Sequence, residues 1–157
     1  MVDFIKSFQK GIEAAISAEN NKNEIDAVFD SLNHQLGQVS GGKLKVAIVF
    51  KSNPFVDFLA AASNSPAKGS YWAIVASNPL AESFSPKELA NWKSDQNGYP
   101  CVISTDSEEI YCEDKLALEK ALGHILALPD VGKKLHALMN QKLSTPSASS
   151  GGPVIGG

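Results

Sequence analysis

Residues 100–114 read PCVISTDSEEIYCED, and the way this stretch pairs with itself decides the fold class. A two-residue loop at Asp106-Ser107 sets Thr105 against Glu108, Ser104 against Glu109 and Ile103 against Ile110. It also sets Val102 against Tyr111 and Cys101 against Cys112, and a four-residue loop keeps the same register. Side chains alternate across a sheet, so Cys101, Ile103, Ile110 and Cys112 share one face, and Val102, Ser104, Glu109 and Tyr111 the other. The first set is entirely apolar or sulfur and forms the core face. A β-hairpin over 101–113 with one dry face calls for an antiparallel sheet backed by helices.

The two cysteines are the only ones in the chain. Buried free cysteine behaves as a small hydrophobe, so core packing is the plain reading. A cross-strand disulfide is the second, because facing cysteines approach closely. Metal binding is the third, but two cysteines do not complete a tetrahedral site and no CxxC is present. The rim differs in character. Asp106, Glu108, Glu109, Glu113 and Asp114 crowd into the same short stretch, with no lysine before Lys115. Such a run serves as a solvated face, as helix N-terminal charge in the case of Glu113 and Asp114, or as a surface that steers a basic partner.

Working outward, SYWAIVAS (70–77) is rich in aromatic and β-branched residues and reads as a strand. KLKVAIVFK (43–51) alternates Leu44, Val46, Ile48 and Phe50 with flanking lysines and reads as another. Between them, Asn53 to Gly69 holds either a short helix around PFVDFLAAA or an edge strand. Ser85-Pro86-Lys87-Glu88 carries an N-cap serine, a proline at the first helical position and a glutamate at the third, which predicts a short helix to about Lys93. Asn97-Gly98 is a turn. After the hairpin, Leu118, Ala121, Leu122 and Ile125 line one face of a helix that Pro129 breaks or restarts, with a last helical stretch to about Leu143. At the other end, Phe4, Phe8, Ile12 and Ala15/Ile16 form one apolar stripe, and Ile25, Val28, Phe29, Leu32 and Leu36 form a second. The polar run between them, with Asn21 and Glu24 as a capping pair, predicts a helical hairpin. The expected fold is therefore α+β: an N-terminal helical hairpin, an antiparallel sheet of about four strands including the 101–113 hairpin, and a long C-terminal helical segment. Residues 1–143 make a single domain and the Ser/Gly/Pro-rich 144–157 a disordered tail.

The function classes narrow mainly by exclusion. All 14 basic residues are lysines, against 17 acids and a net charge of −3. Arginine is the usual tool for reading phosphate and guanine, and the lysines are scattered, so nucleic acid is not an expected partner. No apolar run is long enough to span a bilayer, and the N-terminus lacks a basic region followed by an apolar block, so the expected location is the cytoplasm. His34, His124 and His136 fall in no metal-ligand or catalytic spacing, and no P-loop, GxSxG or post-strand GxGxxG occurs. Neither a cofactor nor a metal is called for. A terminal Gly156-Gly157 invites comparison with ubiquitin-like carriers, but the leading helices do not fit a β-grasp body.

What remains is a small acidic protein-binding module. Its most concrete form is an immunity- or inhibitor-type protein that neutralises a basic partner such as a toxin, with Asp106, Glu108, Glu109, Glu113 and Asp114 as the contact surface. The element order over about 43–143, on an acidic chain of 16.7 kDa, also resembles the small type III secretion chaperones. That resemblance implies a homodimer holding an extended effector segment in apolar surface grooves. An enzyme with a dispersed site is the third class. Whether Tyr71, Trp72 and Trp92 are core or exposed anchors is left open by the sequence.

Overall fold

The computed structural model describes residues 1–63 and 69–145. A long helix α1 (Phe4–Ser40) leads into strand β1 (Lys45–Lys51) and helix α2 (Pro54–Ser63). Strands β2 (Tyr71–Ser77), β3 (Lys87–Ser94), β4 (Cys101–Ser104) and β5 (Glu109–Cys112) follow, then helices α3 (Lys115–Leu126) and α4 (Pro129–Met139). The five strands form one sheet in the order β1-β2-β3-β4-β5, every pair antiparallel. The core lies between one face of this sheet and the C-terminal half of α1, α3 and α4. Val46, Ile74, Cys101, Ile103 and Cys112 from the strands meet Ile25 and Phe29 of α1, Leu118 and Ile125 of α3, and Leu138 of α4. The reading of residues 144–157 as a tail lies outside the described residues, except for Ser144 and Thr145; the Ser144 backbone N–H donates to the Leu80 carbonyl at 2.8 Å.

The hairpin has the expected register, Cys101↔Cys112 through Ser104↔Glu109. Its turn is closed by Thr105, whose N–H donates to the Glu108 carbonyl (2.8 Å) and whose hydroxyl accepts from the Glu108 N–H (3.2 Å). Between β1 and β2 the helical alternative is the one realised. Pro54 opens α2 where its missing N–H costs nothing, and the Asn53 side chain accepts from the Val56 N–H at 3.2 Å. Pro129 restarts the chain as α4.

Two expectations are overturned. There is no N-terminal helical hairpin, because α1 is continuous over 37 residues. Asp3 caps its start by accepting from the Lys6 N–H, and Gly41, at φ +67°, closes its end in the left-handed conformation. The polar run does not cap a second helix, since its side chains bind another part of the fold. The Asn21 amide donates to the Asn97 carbonyl (2.9 Å), and the Glu24 carboxylate accepts from the Tyr99 hydroxyl (2.8 Å). Asparagine costs a helix interior less than 1 kcal/mol or so, which such contacts offset. The second correction concerns Lys87–Ser94, a strand and not a short helix. It sits between β2 and β4, where two hydrogen-bond ladders and the burial of Ala90 and Trp92 outweigh the local helix-start signal. A β-bulge opposite Ile74/Val75 admits Leu89 as an extra residue, so Leu89 and Ala90 both reach the core. The sheet accordingly has five strands where about four were expected.

Candidate interaction surfaces

The acidic run is divided by the strand that carries it. Asp106 and Glu108 lie at the turn before β5 and Glu113 and Asp114 beyond its end, about 16 Å apart along an extended chain. Glu108 Oε2 pairs with His124 Nε2 of α3 at 2.8 Å. Glu109 accepts from the Tyr111 hydroxyl at 2.6 Å, which raises the tyrosine pKa. Asp114 is the N-cap of α3, accepting from the Ala117 N–H at 2.9 Å. Asp106 and Glu113 are exposed, and no side-chain hydrogen bond joins them to the fold. Much of the acidity thus holds the fold locally, and the five carboxylates do not converge on one patch.

Cys101 and Cys112 are fully buried and free. Burial pushes the Cys101 thiol up to about 12 and raises that of Cys112 as well. A buried thiol held protonated is a poor nucleophile. His34 is exposed, His124 is occupied by Glu108, and His136 accompanies Asn140 at the end of α4. A polar cleft of about 420 Å³ lies between β3, the β4–β5 turn and the start of α4, lined in part by Glu88, Asp106, Asp130 and Lys134. The Lys134 ammonium there donates to the Glu88 carbonyl at 2.7 Å. Among the described residues no group of three or more His, Cys, Asp or Glu side chains is placed to hold a metal ion, and no helix is long and apolar enough to cross a membrane.

The aromatics divide. Trp92 is core, edge-on to Phe29 with ring centroids 5.7 Å apart. Trp72 is 51 % exposed and leans on Phe50, 52 % exposed, at 5.1 Å. Register places both on the core face of the sheet, since Phe50↔Trp72 continues the series Val46↔Ala76 and Ile48↔Ile74. The helices cover Val46 and Ile74 and leave the Phe50–Trp72 corner open. An open cleft of about 790 Å³ runs beside it, lined by Tyr71, Trp72 and Trp92.

The backbone at the same place is also unfinished. β1 is an edge strand. The side chain of Asn33 in α1 grips Val46 on the far side from β2, donating to its carbonyl (2.8 Å) and accepting from its N–H (2.7 Å). Alternate residues of an antiparallel strand turn their polar groups the same way. The N–H and C=O of Ile48 and Phe50 therefore point to the open edge, with no counterpart to Asn33 among the described residues. Sequence reading missed this site, because the alternation of 43–51 shows a strand but not which strand ends at the edge. The available signal was an alternating run that ends on an aromatic, Phe50, next to Lys51. No family model, curated protein or solved structure matches the chain.

Proposed function

We propose that the protein is a protein-binding module that accepts an extended apolar segment of its partner as an added strand along the open half of β1. The observation that carries this reading is the Phe50–Trp72 pair, half exposed on the core face of the sheet beside the free edge. Strand addition takes affinity from main-chain hydrogen bonds and selectivity from pockets for alternate side chains. Ile48 and Phe50 offer the first, and the corner beside Trp72 offers the second. Lys45 and Lys51 flank the edge, a placement that discourages indiscriminate pairing while leaving a short window between them. Holding an extended segment is also what the resemblance to secretion chaperones implies. Two buried thiols, stable in a reducing compartment, support a cytoplasmic location.

The inhibitor-type reading is the second. It is favoured by the exposed Asp106 and Glu113 at the two ends of β5, and its partner would be a basic protein bound in a salt-sensitive way.

Capture of partners from the source cells by the wild-type chain, by F50S/W72S and by E108K/E109K separates the two. Strand addition expects F50S/W72S to lose the partner, salt to have little effect, and the Ile48 and Phe50 amides to become protected from hydrogen exchange in the complex. A partner lost to E108K/E109K and to rising salt, with F50S/W72S still binding, would replace the first reading with the second.

A further inference from the structure

Residues 1–17 are exposed throughout, although Phe4–Ser40 is one helix. On this segment Phe4 (76 % exposed), Ile5, Phe8 (67 %), Ile12 and Ile16 form an apolar stripe without a partner among the described residues. At 100° per residue its centre lies roughly 130° around the helix from the stripe of Ile25, Val28, Phe29, Leu32 and Leu36 that meets the core. The two stripes therefore face different directions on one rigid rod, and the first cannot be an extension of the chain's own core.

We infer that this stripe is the interface of a homodimer, formed by antiparallel pairing of the N-terminal halves of two α1 helices. Area is the first support. Large apolar side chains present ~150–250 Å² when free, so these five, half to three-quarters exposed, leave on the order of 600 Å² uncovered. That is at the upper end of what a monomer carries. Doubled by two-fold symmetry it comes to about 1,200 Å², the lower limit of a specific interface.

Self-complementarity is the second support. Pairing about residue 10 sets Phe4 against Ile16 of the second copy and Phe8 against Ile12, so each ring meets a smaller branched side chain, and Ile5 falls opposite Ala15. Parallel pairing would set like against like, and it would align the helix dipoles unfavourably.

Reach is the third. The first tertiary bond of α1 is made by Asn21, so Phe4–Asn20 projects as a rod of about 25 Å. Phe4 of one copy, opposite Ile16 of the other, stops short of the second body. A lipid surface is the poorer occupant, because Glu13 and Glu19 balance Lys6 and Lys10 on this segment, and interfacial helices carry an excess of basic residues.

Sedimentation equilibrium of the full chain from 1 to 300 µM (about that range spans weak and tight dimers) tests the proposal. The expected species has twice the 16.7 kDa of one chain. F8E/I12E, altered only at exposed positions, should keep the wild-type urea midpoint at concentrations too low for the wild type to dimerise, and should raise the dimer Kd at least ~100-fold. F50S/W72S should leave the dimer intact, so failure of strand acceptance does not touch this result. A monomer at every concentration, a dimer indifferent to F8E/I12E, or a monomer that binds vesicles of phosphatidylcholine and phosphatidylserine would each overturn it.

Discussion

Cys101 shows how much one side chain reports about its surroundings. Its Sγ lies 3.9 Å from the Cys112 carbonyl inside the sheet–helix core, and burial, then the neighbouring Cys112, lifts its pKa to about 12 from the ordinary 9.0. Between those two values the unfolded chain releases the proton and the folded chain keeps it. The folded state binds more protons in that window, so stability falls as pH rises. The expected outcome is a decline in unfolding free energy that sets in near pH 9 and runs toward pH 12. Urea titrations at stepped pH should find the decline shallower in Cys101→Ala than in the wild type; an equal slope would mean that other groups cause it. The face of this residue was legible in the sequence, because strand alternation and the Asp106-Ser107 turn lie within a dozen residues of each other. The role of Glu109 was not, and although Glu113 and Asp114 were legible as charge at a helix start, which of them caps it was not. Five carboxylates look alike in a string, and only the positions of Tyr111 and the Ala117 N–H decide which of them are occupied.

Among the elements, α1 and β1 depend on one another. The amide of Asn33 takes the place of a further strand over Val46 and closes that half of the edge. Asn33→Ala removes both bonds at a half-buried position, and should cost about 1 to 3 kcal/mol by urea unfolding. The newly open edge should also make the variant self-associate at concentrations where the wild type does not change state. A cost below ~0.5 kcal/mol would show that water replaces the asparagine without loss. β1 and β2 were legible from period and composition. β3 was not, because Ser85-Pro86-Lys87-Glu88 is a sound local start signal for a helix. A local signal worth about 1 kcal/mol loses to the two ladders and the buried Trp92 that the strand gains.

At the scale of the whole molecule, Gly98 lets the β3–β4 turn approach α1 closely. This residue has φ +92°, and a Cβ there would stand 2.8 Å from the Cβ of Asn21. Gly98→Ala combines left-handed strain with a clash against the helix and should cost about 2 to 3 kcal/mol. Hydrogen exchange should locate the loosening in α1 around residues 18–25 as well as in the turn; protection lost in the turn alone would mean that the helix is held elsewhere. The sequence by itself determined the α+β class, the hairpin register, the strands read at 43–51 and 70–77, and an interruption of the last helical segment at Pro129. Each of these is written in periodicity and turn chemistry within a few residues. Only the tertiary structure decided that α1 runs unbroken, that residues 87–94 are a strand, that the helices leave the Phe50–Trp72 corner of the core face uncovered, and that the stripe from Phe4 to Ile16 faces away from the core. These outcomes depend on contacts between segments up to about 75 residues apart, such as Asn21 with Asn97 and Glu24 with Tyr99. Long-range burial and hydrogen bonding there exceed local preferences of a kcal/mol or less.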